Sequence, residues 1–353
     1  MPPPIRRSLF PLLPARRVPR ALLTTWLERA EVDSLPDEPM AALEGRVAEL
    51  LGKEKALFFP SGTMAQQVAL RIHAEHRGRK AFAAHPQTHL DVWEQRGYSA
   101  IHGLQFQPVG DRHELMTAAD LASIGEPLAA VLWELPQRDI GGALPGWDDL
   151  SEQVALARVR GAAAHMDGAR LWEAQTFYRR TFAEIAGLFD TVYVSLYKGL
   201  AGLRGALLVA DAATVAEAAV WQKRLGGSIN ETWPVAISAL IGLDTLLPRM
   251  PAFREHAIAI AAALAADGVA RVVPDPPQAP MFHIHLPAPR RAVELAGAAM
   301  IADHGTQLFG RVRSSPDPTR CSFEVSVGEN AMELAPAEVA ALIRELVDRA
   351  AAL

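Results

Sequence analysis

Hydrophobic and polar positions switch repeatedly between two periods along the chain, and the switches outline its elements. Short apolar, β-branched or aromatic runs bounded by turn residues predict strands at 56–59, 81–84, 104–109, 128–135, 162–166, 191–197 and 206–210. Between them, apolar residues recur at helical spacing over 21–30, 39–52, 64–76, 90–98, 147–160, 182–189 and 212–224. Strands alternating with helices in this way predict a three-layer α/β domain with a mostly parallel sheet. After about residue 246 the rhythm changes: a long helix near 252–267, strands at 269–273, 281–285 and 321–327, and a closing helix over 336–351. The expected organisation is an amino-terminal arm (1–38), a large domain (39–246) and a smaller α+β carboxy-terminal domain (247–353).

Charge narrows the partners. With 35 basic and 40 acidic side chains among 353 residues, the chain carries no excess of the sign a polyanion binder needs. Small molecules or other copies of itself are the expected partners, and nucleic acid is not. The single cysteine, Cys321, cannot form an internal disulfide and fits a reducing, cytoplasmic setting. The apolar patch Leu9–Leu13 is interrupted by proline, so it reads as neither signal-peptide core nor span. No run reaches about 18 uncharged apolar residues, so no membrane span is expected.

Three stretches carry the chemistry. In Thr191–Leu200 a strand-like run ends at Lys198, and glycines 199, 202 and 205 prevent a long helix from following. The carboxyl edge of an open α/β sheet is where ligands bind, so this lysine is placed as a nucleophile toward a carbonyl. In Ala164–Trp172, Asp167 closes another apolar strand and Gly168 allows a sharp exit. In Pro60–Thr63 a turn feeds directly into a helix, whose unpaired amides and dipole suit a phosphate, with Ser61 and Thr63 as hydroxyl donors and Gly62 permitting close approach. Taken singly, each has a plain structural explanation: a solvated lysine, a capping aspartate, an ordinary helix cap. Together they meet the needs of pyridoxal 5'-phosphate, which requires a phosphate anchor, an amine for its aldehyde and an ionised acid on its ring nitrogen. A dinucleotide enzyme would need a glycine-rich fingerprint after its first strand, and none occurs in that context. No metal motif of useful spacing is present either.

At these residues the chain resembles the threonine aldolase group of the β-eliminating lyases, which have the aspartate-aminotransferase-like fold. The resemblance covers about residues 39–245 and rests on Gly52–Ala65, Met166–Trp172, Val194–Leu200 and Trp221–Gly227. It implies Lys198 as the Schiff-base lysine, Asp167 on the pyridinium nitrogen, Ser61, Gly62 and Thr63 on the phosphate, and Arg170 on the phenolate side. It further implies that His89, five residues before Glu94, stacks on the ring, with His85 as competitor. Arg320 clamps the substrate carboxylate by the same resemblance, with Arg311 and Arg313 as alternatives, and Lys223 supports the phosphate side. Similar enzymes build the site between subunits, so a homodimer or homotetramer is expected.

The departures lie on the substrate side. No Arg-Ser-Asp-Thr segment opens the chain, the tyrosine-glycine loop becomes Leu35–Pro39, and the glycine-rich Met-Arg-Gln segment becomes Gly227–Glu231. Where similar enzymes carry a histidine for the β-hydroxyl, Glu134–Gly142 offers Gln137, Arg138 and Asp139. The expected reaction is cleavage of a β-hydroxy-α-amino acid to glycine and an aldehyde, with Asp139, Glu134 or a water relay in place of the imidazole. β-Elimination, racemisation and a non-catalytic relative keeping the fold are the competing readings.

Overall fold

The computed structural model describes residues 5–9, 19–29 and 38–353. The Leu35–Pro39 loop, apart from its last two residues, and most of the expected arm lie outside the described residues. Contacts within the chain divide it into two units.

The first unit comprises the described residues from Glu38 to Ile140 and Leu144–Leu247. Its seven strands are β1 (Lys55–Phe59), β2 (Ala81–Ala84), β3 (Gln105–Pro108), β4 (Ala130–Glu134), β5 (Ala163–Gly168), β6 (Thr191–Ser195) and β7 (Ala206–Ala210). They lie in the order β1-β7-β6-β5-β4-β2-β3. The pairs from β6 to β3 are parallel, while β7 runs antiparallel to both its neighbours. Central strands are buried along their full length, because helices cover both faces. On one face α1 (Gly62–Arg77) sets Val68 and Ile72 against Tyr193 and Leu208. Register then matters: Glu134 pairs with Asp167, and Asp167 with Tyr193, so chemistry-bearing residues distant in sequence become lateral neighbours.

Two expected elements changed. The helix expected over 90–98 is two single turns, His89–Val92 and Gly97–Ala100, because Gln95 and Arg96 take φ of 53° and 55°. Asp91 fixes that break by accepting from the Tyr98 hydroxyl at 2.6 Å and pairing with Arg96 at 3.0 Å. The strand expected to reach Tyr197 stops at Ser195, where Leu196–Lys198 bends away. Two helices not expected from the pattern, α2 (Leu171–Tyr178) and α3 (Trp233–Thr245), complete the unit. Gly242 lets α3 lie against the Leu200 carbonyl, where any Cβ would collide.

Beneath the sheet edge, two buried histidines share one hydroxyl. His73 Nε2 and His165 Nδ1 each lie 2.8 Å from Thr191 Oγ1. Burial pushes both imidazoles down to about 3, so both are neutral, and His165 Nε2 has no hydrogen-bond partner.

The second unit comprises the described residues up to Arg29, Gly141–Ala143 and Pro248–Leu353. A four-stranded antiparallel sheet runs in the spatial order Val312–Ser314, Cys321–Ser326, Met281–Leu286, Arg271–Val273. Helices Met250–Asp267, Arg290–His304 and Pro336–Ala351 accompany it. The two-residue strand Arg7–Ser8 pairs in parallel with Thr306–Gln307, and Arg7 forms an ion pair with Glu338. Among the described residues one stretch, Trp233–Asp267, is long and apolar enough to cross a membrane. It is broken at Leu247–Arg249, and Leu243, Phe253, Ile260 and Leu264 within it are buried in protein.

Candidate active site

Lys198 follows the end of β6 by three residues, on a bend that backbone hydrogen bonds close. Leu196 N donates to Gly205 O at 3.1 Å, Gly202 N to Leu196 O at 3.0 Å, and Ala201 N to Lys198 O at 3.0 Å. The start of α2 is tied to the same strand end: Trp172 Nε1 donates to Ser195 O at 2.9 Å, and Ser195 Oγ to Ala169 O at 2.7 Å. Burial pushes the Lys198 amine below the ordinary lysine range. The Arg170 charge pushes the same way, while Asp167 and Glu134 pull it back up. A lysine that attacks a carbonyl must be neutral, and this setting favours that form.

Asp167 is 2% exposed, and its Oδ1 accepts from Ala169 N at 3.0 Å. Beside it, Glu134 ends β4 and gathers three donors: His89 N at 3.3 Å and Gln137 Nε2 at 3.2 Å on Oε2, Arg138 N at 3.2 Å on Oε1. Burial and the neighbouring Asp167 charge raise Glu134 to about 7, against the pull of His89 and Lys198. His89 Nδ1 lies 2.9 Å from Glu94 Oε1. Burial opposes its charge, but the Glu94 hydrogen bond and the carboxylates of Asp167 and Glu134 together hold it above the ordinary histidine range. The competing His85 uses both ring nitrogens elsewhere, at Glu114 O (2.8 Å) and Gln87 N (3.0 Å). On the loop after β4, Asp139 Oδ2 accepts from Trp93 Nε1 at 2.7 Å, and the Arg138 guanidinium lies over the Trp93 ring at 5.5 Å. Of the two acids read as substitutes for the imidazole, Glu134 is thus the one packed among His89, Asp167 and Lys198.

Ser61 caps α1, its hydroxyl accepting from Met64 N at 3.2 Å, and the Thr63 side chain is exposed. A Cβ at Gly62 would run into the Tyr193 hydroxyl, so the helix start presses directly on β6. We expect Gly62→Ala to cost about 1–3 kcal/mol, the range for overpacking a close contact. Urea unfolding checks this, and adding Tyr193→Phe should recover part of the loss. Lys223 is exposed in the last turn of the helix Ala212–Arg224. That helix end meets the start of α1, since a Cβ at Gly227 would strike Met64 Sδ and Gln222 Nε2 donates to Phe58 O.

The remaining sequence candidates belong to the second unit. Arg320 is exposed and pairs with Asp317 at 3.5 Å, Arg313 is more buried and lies 3.6 Å from Glu324, and Arg311 is exposed. Two residues that sequence reasoning passed over join the site: Tyr193, which sits in the core beside Asp167, and Glu173, buried on α2 next to Arg170 and Gly199. Cys321 is buried, and its thiol is pushed up to about 11.

This donor set suits pyridoxal phosphate: a helix start with two hydroxyls, a lysine biased toward its neutral form, a buried carboxylate and a flat imidazole, all within the first unit. Among the described residues no cluster of three or more histidine, cysteine or acidic side chains offers a competing metal site.

A mixed seven-stranded sheet carrying that set on one edge is the fold-type-I architecture of pyridoxal-phosphate-dependent enzymes. The chain belongs to the β-eliminating lyase family, whose model matches residues 34–287. It is 29% identical over 259 residues to the low specificity L-threonine aldolase of Escherichia coli, covering 68% of this chain and 74% of that one. It is 29% identical over 234 residues to low-specificity L-threonine aldolase 1 of Arabidopsis thaliana, and that match covers 63% of this chain and 65% of the plant protein, just under two thirds. A solved structure from Listeria monocytogenes, provisionally named an L-allo-threonine aldolase, superposes with a TM-score of 0.90 at 33% identity, over 98% of this chain and 96% of that one. Members of the threonine aldolase family are pyridoxal-phosphate-dependent lyases.

Proposed function

We propose that this chain binds pyridoxal 5'-phosphate and cleaves a β-hydroxy-α-amino acid to glycine and an aldehyde. The observation that carries the reading is the grouping of Lys198, Asp167, His89 and the Ser61–Thr63 helix start on one sheet edge within a single unit. When bound, the cofactor supplies an aldehyde for an amine and a ring that accepts an electron pair.

The chain's own residues do the rest. Lys198 would offer its amine to the cofactor's aldehyde. Asp167 would keep the ring nitrogen protonated, His89 would stack on the ring, and Arg170 would serve the phenolate side. Ser61, Gly62, Thr63 and Lys223 serve the phosphate. On the substrate side, Gln137 and Arg138 bind, and Glu134 takes the β-hydroxyl proton as the Cα–Cβ bond breaks. The carbonyl forms on the departing carbon, and a proton returned to Cα completes glycine. Resemblance to the family further supports a homodimer or homotetramer, and the single cysteine supports a cytoplasmic location.

Purified protein reconstituted with the cofactor and given threonine, phenylserine, serine or alanine tests the reading. Glycine with an equimolar aldehyde from threonine or phenylserine is the expected outcome. Keto acid and ammonia alone would move the assignment to β-elimination, and an inverted enantiomer alone would move it to racemisation. A protein that stays colourless after reconstitution would leave a fold without its chemistry.

A further inference from the structure

Glu173 has no part in the reaction set out above, yet it is a carboxyl only 6% exposed, in the first turn of α2. Its Oε1 lies 3.7 Å from Arg170 Nη1, and its Oε2 is buried with no hydrogen-bond partner. A Cβ placed on Gly199 would come within 2.8 Å of the Glu173 carboxyl carbon and of Oε2. The acid is therefore wedged between a guanidinium and the backbone of the residue that follows Lys198. A carboxyl left there without a role would be a liability, because a buried polar group costs stability unless something pairs with it.

We propose that Glu173 is a positioning residue that holds Arg170 and offsets its charge beside Lys198. The inference rests on the reading that Lys198 and Arg170 both serve the cofactor. Around Lys198 the charged groups are Arg170 and Arg138, which disfavour a proton on its nitrogen, and Asp167 and Glu134, which favour one. Around Glu173 they are Arg170 and Lys198. Glu173 thus touches both the strongest cationic influence on the lysine and the lysine's own turn. Burial raises the Glu173 carboxyl, and the two cations draw it back toward the charged form. With its charge gone, Arg170 acts on the Lys198 nitrogen with only Asp167 and Glu134 to oppose it, and the proton there leaves at lower pH. Gly199 fits the same account, since any side chain at that position would displace the acid.

The test is a spectral titration. Wild type, Glu173→Gln, Arg170→Gln and the double variant are loaded with pyridoxal phosphate, and visible absorbance is followed from pH 5 to 10. Glu173→Gln should lower the midpoint by about one unit, a tenfold change in the proton equilibrium. The double variant, which leaves no lone buried charge, should titrate with Arg170→Gln, because Glu173 acts through that guanidinium. A midpoint equal to wild type in Glu173→Gln, with an unchanged circular dichroism spectrum, overturns the proposal. If the single variant does not fold, a double variant displaced from Arg170→Gln overturns it equally. Wild type lacking any visible band would instead defeat the cofactor reading, and this inference with it.

Discussion

Lys198→Ala is expected to lower glycine release by about 10³-fold or more, the scale on which covalent and proton-transferring groups act. Nothing else in the described site offers an amine in the same setting: Lys198 is pushed toward neutrality by burial and by Arg170, whereas Lys223 is exposed in the last turn of its helix. The Ser61–Thr63 helix start proposed for the phosphate is untouched in this variant, so cofactor is expected still to bind without a covalent link. Borohydride reduction followed by intact-mass measurement separates the two states. Wild type should gain the reduced cofactor irreversibly, and the variant should not. A variant that retains the added mass after reduction would show that another amine makes the link.

Glu134→Gln is the second large effect, with an expected loss of about 10²–10⁴-fold. The wild-type carboxyl is raised to about 7 by burial and by Asp167, so it is protonated below that pH and a base above it. Activity should therefore rise as pH passes from 6 to 8 in wild type, and the rise should be absent in the variant. Glutamine preserves the outline but not the acceptors. Glu134 receives Arg138 N on one oxygen and His89 N with Gln137 Nε2 on the other, so an amide nitrogen must face at least one donor. Part of the loss will accordingly appear in KM. A pH–rate profile that keeps its rising limb in Glu134→Gln would move the proton to another group.

Much of this was legible in the chain. The strands Ala81–Ala84 and Ala206–Ala210 and the helix Ala212–Arg224 fall where the apolar runs and the capping Asp211 place them, because local signals bound both ends. The placement of Lys198, Asp167 and Ser61–Thr63 was readable for the same reason: each sits where a strand ends or a helix begins, and those points are marked by glycine, serine and a change of period. The prominence of Glu134 was not. It depends on β4 lying beside β5 in a register that sets Glu134 against Asp167, and hydrophobic periodicity carries no information about which strands become neighbours. Glu173 was hidden differently. It occupies a helix position that reads as polar surface until Gly199, with no side chain, lets it turn inward. The break at Gln95–Arg96 depends on left-handed backbone that neither residue type announces.

The hydroxyl of Thr191 carries one proton, and two imidazole nitrogens lie 2.8 Å from it. It can donate to only one of them, so the other ring must donate to it. If the hydroxyl donates to His73 Nε2, both rings carry hydrogen on Nδ1; if it donates to His165 Nδ1, both carry it on Nε2. The hydroxyl can also turn to a third acceptor while both rings donate to its lone pairs, His73 from Nε2 and His165 from Nδ1. In the second arrangement His165 would bury an N–H with no acceptor, and orphaned donors are rarer than orphaned acceptors, which disfavours it and leaves the His165 hydrogen on Nδ1. The first residue of β6 thus fixes the hydrogen of the buried imidazole two residues before Asp167 on the nitrogen that faces its hydroxyl.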